Sequence, residues 1–328
     1  MGKVIQGNTL KYTSGQLGRY GDHIGSAKQA VHDGDTLTIA VDGNFSIRFL
    51  GIDTPETSFE IQGDGDFQSL GTQAWHAYLE ALVEDWSDMD VVLGESLSAD
   101  LRQRLAQPAV AFNHSVHAKR AERQLEALIE ADMHIYGLTR ETFRFFLPFA
   151  YDIVDSYGRL LSYVQLDKRN PAMEVPPAYV MSYNQHLLET GHALPYFIWP
   201  NVNPFRRAES VLAAVYDDPE TFRQQLRGDH SLQRARTAVR RARESQEGVF
   251  GHTQDPKGAD VAPLLLEPFE LRFLSRRCAP SRPFIDLSAD DDVICAPCNY
   301  THTRPEDRLF IPPEYVPLFE QRGWTKQT

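Results

Sequence analysis

The chain has 328 residues, 42% of them hydrophobic, enough to bury the core of one large or two modest domains. Acids outnumber bases 45 to 33, and the net charge of −12 excludes a broadly basic protein that coats nucleic acid, leaving only local basic patches for a polyanion. No run approaches the ~20 apolar residues of a membrane span, and the opening MGKVIQGNTLKYTSGQ has no apolar signal core, so the expectation is a cytoplasmic protein with no membrane partner.

Residues 1–25 are polar and glycine-rich and read as a loose lead-in; residues 26–31 enter a sheet. Thr36 to Val41 alternates Leu37, Ile39 and Val41 against Thr36, Thr38 and Ala40, the period of a half-buried strand. Asp42-Gly43 suits a tight hairpin turn, and Phe45, Ile47 and Phe49 return on one face with Arg48 on the other. Residues 57–70, with Gly63, Asp64, Gly65 and Asp66, read as a loop beside that hairpin. Residues 72–86 form an amphipathic helix capped by Thr72. Within 87–140 the stretches 98–105 and 117–133 read as helical, with His114, His117 and Lys119 expected on a solvated surface. Residues 142–147 and 160–166 are strands, joined by the turn Asp155-Ser156-Tyr157-Gly158-Arg159. A helix over 179–190 stops at Gly191, and helical turns follow at 205–216 and 219–226. Residues 231–246 form a helix carrying Arg234, Arg236, Arg240, Arg241 and Arg243; with Arg206-Arg207 this is the local basic surface.

From Pro263 the chain is proline-rich with a small apolar complement, and is expected to fold back on the rest, because so short a segment rarely buries enough surface alone. All three cysteines lie here. Cys295 and Cys298 have CxxC spacing; with Cys278 and His302 they could form a Cys3His zinc site, the alternatives being free thiols or one disulfide.

The chemistry concentrates around the first hairpin. Asp33 and Asp35 flank Gly34 before its first strand, and Asp53 and Glu56 flank Thr54-Pro55 after its second. Antiparallel pairing brings those ends together near Arg48. Converging carboxylates need a cation, and a hard divalent ion with oxygen ligands supplies one. Two arginines, Arg48 and Arg159, with a free carboxylate and a metal, are the components for attack on a phosphodiester.

DGDT, RFLGIDTPE and DSYGR together resemble the staphylococcal nuclease (thermonuclease) family. The resemblance spans roughly residues 26–250, interrupted by a helical insertion at about 87–140. It implies an α+β chain built on a five-stranded OB-fold barrel with packed helices. The family domain would cover 1–255, with a small loop-rich extension at 256–328 packed on it. It implies Asp35, Asp53 and the Thr54 carbonyl as ligands of calcium, with magnesium or manganese also served by such oxygens. Glu56 would be the general base, Arg48 and Arg159 the phosphate-binding pair, and Asp33 and Tyr157 residues near metal and nucleotide. Phe197 and Trp199 fall about where the family stacks aromatics on a base. The implied activity is a calcium-dependent, sugar-nonspecific nuclease acting on DNA, RNA or both and leaving 3′-phosphate ends. The alternative is a non-catalytic nucleic-acid- or protein-binding module on the same scaffold.

Overall fold

A computed structural model describes residues 12–327 apart from 22, 41–43, 62–65, 156–157, 204–209 and 216–217. The architecture is mixed α+β. The segment expected as a lead-in contains strand β1 (Tyr12–Leu17), a correction with a physical reason: YTSGQL carries little apolar alternation, yet Leu17 is fully buried. A one-turn helix at Ala27–Ala30, closed by a Ser26–Gln29 capping box, leads into β2 (Val31–Asp33). The hairpin strands β3 (Thr36–Ala40) and β4 (Asn44–Phe49) pair with Thr36 opposite Arg48 and Leu37 opposite Ile47. Their Asp42-Gly43 turn lies outside the described residues.

After Leu50 the chain bends at Gly51, whose φ of +76° favours glycine, and continues as β5 (Gly51–Asp53) in a different sheet. The stretch read as a loop is partly a hairpin, β6 (Ser58–Glu60) with β7 (Phe67–Ser69), though Gly63, Asp64 and Gly65 fall outside the described residues. Helix α1 (Gln73–Glu84) follows. The insertion is wholly helical: α2 (Ser87–Leu93), α3 (Glu95–Leu105) and the long α4 (Val110–Ile135). Strands β8 (Phe145–Pro148), β9 (Leu160–Ser162) and β10 (Gln165–Leu166) return to the first sheet.

That sheet runs β9-β4-β3-β1-β8-β10, with β2 added beside β3. Its hydrogen-bonded path is open, and a closed five-stranded barrel is not found among the described residues. Between β9 and β10, the Ser162 hydroxyl and the Tyr163 N–H both donate to the Pro148 carbonyl of β8.

Helix α5 (Tyr183–Glu189), capped by Ser182, precedes β11 (Leu194–Ile198). Helices α6 (Pro219–Arg227) and α7 (His230–Glu244) are capped by Asp218 and Asp229. In the last segment α8 (Pro268–Ser275) precedes β12 (Phe284–Asp286) and β13 (Arg308–Phe310), and these two strands complete a second sheet in the order β12-β13-β11-β5. The C-terminal residues thus extend a sheet whose other edge is β5, the strand that ends at Asp53.

One core lies between the first sheet, α4, α5 and α7, with Leu37, Ile47, Leu125 and Phe145 fully buried. A second is shared by the insertion and the C-terminal segment: Trp75, Leu101, Leu271, Leu274 and Tyr300 are all fully buried in it. Among the described residues no helix is long and apolar enough to cross a membrane.

Candidate active site

The register of the hairpin places the start of β3 beside the end of β4, and the acidic residues meet there. Asp35 and Asp53 are each 1% exposed. Arg48 lies between them, Nη1 on Asp35 Oδ1 and Nη2 on Asp53 Oδ1. The second oxygen of Asp35 accepts the Thr54 N–H at 2.8 Å, and Asp33 Oδ1 accepts the Asp35 N–H at 3.1 Å. Gly34 is required in this turn: a Cβ there would lie 2.5 Å from Ala121 Cβ of α4 and 2.8 Å from Thr54 Cγ2.

Two further groups come from outside the stretch that resembles the nuclease family. Arg272, on α8, donates Nη1 to Asp53 Oδ1 at 3.0 Å and to Glu56 Oε1 at 2.6 Å, and Nη2 to Asp53 Oδ2. His114, on α4, accepts the Glu56 N–H at Nε2, 2.8 Å away. His114 and His117 are both 1% exposed, so the expectation of a solvated surface is corrected; Lys119 is exposed. Burial lowers the His114 pKa to about 3, so its ring is neutral and free to accept. His117 Nε2 and Asn113 Nδ2 contact the Ala262 carbonyl at 2.9 and 2.7 Å, tying the insertion to the C-terminal segment. Spacing held a signal for His114: with Val110, His117, Ala121 and Leu125 it falls on one helical stripe.

The electrostatics follow from burial opposed by charge. Burial, with the charges of Asp33 and Asp53, raises Asp35 to about 7 against the pull of Arg48. Burial likewise raises Glu56 above the usual carboxylate range. Burial also opposes ionisation of Asp53, but Arg272 and Arg48 outweigh it and hold that carboxyl low. Both guanidiniums stay charged, since the carboxylates outweigh their desolvation.

Other expected site residues lie elsewhere. Arg159 is one strand away: β9 runs parallel to β4 with Leu161 opposite Arg48, and Arg159 Nε binds Asp155 at 2.7 Å. Tyr157 lies outside the described residues, as do Arg206 and Arg207. Phe197 and Trp199, expected as base-stacking rings, are each 3% exposed. Trp199 packs edge-on against Tyr315 and Phe319 at 5.1 and 4.9 Å, and Phe197 lines a cavity of about 470 Å³. Two arginines of α7 serve as struts: Arg236 pairs with Asp307, and Arg243 with the fully buried Glu306. They hold the C-terminal segment, which removes them from the basic surface expected of this helix.

Oxygen carboxylates suit calcium chemically. Here, however, both Asp35 oxygens and both Asp53 oxygens are engaged by Arg48, Arg272 and the Thr54 amide. Among the described residues no group of three or more His, Cys, Asp or Glu side chains is arranged to hold a metal. As arranged, the cluster does not fit calcium. Cys278, Cys295 and Cys298 are free thiols, burial raises the pKa of the latter two, and His302 Nε2 faces Ser96 Oγ at 3.5 Å. Phe273, Phe284, Tyr300 and Phe310 of the segment pack in the apolar core it shares with the insertion.

No protein-family model matches the chain, and no curated protein is significantly similar to it.

Proposed function

We propose that this chain is a phosphodiesterase of the staphylococcal-nuclease type, acting on DNA, RNA or both. The observation that supports this most is the convergence of Asp35, Arg48, Asp53 and Glu56, from the two ends of one hairpin and the turn after it, in one buried cluster. The proposed scaffold is an OB-type barrel. Its support is that β9 and β10, the two ends of the open path, are successive pieces of the single stretch Leu160–Leu166.

In this reading Glu56 takes the proton of a water whose oxygen bonds to phosphorus as the P–O5′ bond breaks, leaving a 3′-phosphate. Its raised pKa suits a group that must accept and return a proton. Arg48, rigid on a strand, stabilises the charge on the phosphorane oxygens. Arg159, held by Asp155, flanks the same hairpin on the neighbouring strand. Calcium, which the resemblance implies, would need Asp35 and Asp53 released from guanidinium groups, so no step is routed through it.

The second reading, a non-catalytic nucleic-acid-binding module, is favoured by one observation: Glu56 is ion-paired to Arg272. Single-stranded DNA and RNA incubated with the chain, with added calcium and separately with chelator, distinguish the two. Cleavage in either condition, reduced about 10²–10⁴-fold by Glu56→Gln, supports the enzyme. Binding with intact substrate throughout supports the module, and an unaltered rate in Glu56→Gln rejects the assigned base.

A further inference from the structure

Arg272 lies beyond the stretch that resembles the nuclease family, yet it makes more contacts with the acidic cluster than Arg48 does. Its two terminal nitrogens grip both Asp53 oxygens, and one of them also holds Glu56 at 2.6 Å. A lid that swings away would sit on a loosely held element. The helix that carries Arg272 is the opposite. Glu270, in the first turn of α8 and fully buried, takes two bonds of 2.7 Å from Arg104 and a third from the Tyr300 hydroxyl. Glu267 caps the helix and binds Arg308 at 2.8 Å. The Tyr78 hydroxyl bonds the carbonyls of Leu274 and Ser275 at its far end, each at 3.1 Å. Leu271 and Leu274 are fully buried in the core shared with the insertion. The guanidinium is therefore presented by a rigid support and is part of the resting site.

A divalent ion bridging Asp35 and Asp53 would compete for oxygens already used by Arg272 and Arg48, at close range to two fixed positive charges. We propose that Arg272 is the resident counter-ion of this cluster: it holds Asp53 and Glu56 in place of a divalent metal and excludes calcium from the native site. This rests on the phosphodiesterase reading only in taking Asp35 and Asp53 as the pair an ion would bridge. Arg272 is then a positioning residue, acting through Glu56, and cleavage by the wild-type chain persists in chelator.

The test is calorimetric titration of the full chain with calcium chloride, in wild type, Arg272→Met and Asp35→Asn, with melting temperatures recorded with and without the ion. The expected result is no saturable uptake and no melting shift in wild type, against one equivalent bound and a calcium-dependent rise in melting temperature for Arg272→Met. Should Arg272→Met be unfolded alone, calcium restores its circular dichroism if the proposal is right, and failure to do so counts against it. Uptake of one calcium by wild type, abolished in Asp35→Asn, overturns the proposal, as does a folded Arg272→Met that binds none. Failure of the phosphodiesterase reading would show separately, as uncut nucleic acid under every condition, while these binding readouts remain interpretable.

Discussion

Substituting Arg104 by Met tests the support beneath the site. Arg104 is 25% exposed, but its partner Glu270 is fully buried and is gripped through both oxygens at 2.7 Å. Removing the cation leaves a carboxylate in the core with the Tyr300 hydroxyl as its remaining side-chain donor. Two unit charges ~4 Å apart at an effective dielectric of about 20 interact by about 4 kcal/mol, and breaking a buried pair from one side costs about 3–5 kcal/mol. That is a large share of the about 5–15 kcal/mol of a typical folded chain, and corresponds to a fall in melting temperature on the order of 10 °C. Urea unfolding followed by circular dichroism measures the loss. Adding Glu270→Gln removes the stranded charge, so the double variant should recover a substantial part of it. A loss below about 1 kcal/mol, the level of an exposed pair, or strict additivity in the double variant, would refute the idea that α8 is anchored through this contact.

Gly34→Ala should destabilise by about 1–3 kcal/mol through overpacking, because the added carbon meets Ala121 Cβ at 2.5 Å. Adding Ala121→Gly should return part of the loss, and stability unchanged in the single variant would mean that α4 does not abut this turn. Asp35 retains its proton in the folded state up to about 7 and sheds it lower when unfolded, so its contribution to stability declines as pH rises from about 4 to about 7. His114, lowered to about 3, has the opposite sign: its contribution is present above its ordinary pKa and is lost as pH falls. Urea midpoints at pH 5 and pH 7 should therefore rise more steeply with pH in Asp35→Asn than in wild type, and identical slopes would remove the assigned proton. Arg48→Lys keeps the charge but loses the fork that spans Asp35 and Asp53. A cost of about 1–3 kcal/mol in urea unfolding is expected, and an unchanged midpoint would show that the bridging geometry is unimportant.

The hairpin was readable because alternation over Leu37–Ile39 and Ile47–Phe49 is strong, although β3 is buried on both faces where its period predicts a half-buried strand. The meeting of Asp35 with Asp53 followed from the same register. Strand β1 was not readable: Ser14, Gly15 and Gln16 offer no apolar face, and it is strand because β3 and β8 pair with it on either side. Arg272 was beyond local pattern, since 219 residues separate it from Asp53 and nothing in PFELRFLS marks one arginine as a site residue. The pairing of Arg236 and Arg243 on α7 was beyond local pattern for a related reason. A basic helical stripe looks the same whether it faces phosphate or buried acids, and the acids here, Glu306 and Asp307, lie in a distant turn.

Under the proposed reading, residues 87–140 and the C-terminal segment act on the chemistry as well as on stability. The insertion contributes His114, which receives the Glu56 amide, and the extension contributes Arg272, which grips the Glu56 carboxylate. Both are carried by helices bound into one apolar core, so Glu56 is positioned at its backbone and its side chain by segments far from it in sequence. A carboxylate held at both ends is well placed to keep one geometry, but its proton affinity depends on two opposed terms: burial, which raises it, and Arg272, which lowers it. Loosening α8 while leaving Glu56 buried should weaken only the second term. Variants such as Arg104→Met that remain folded should then move the acidic limb of any pH–rate profile to higher pH, as a more readily protonated general base requires, and an unmoved profile would mean that Arg272 does not govern that carboxylate.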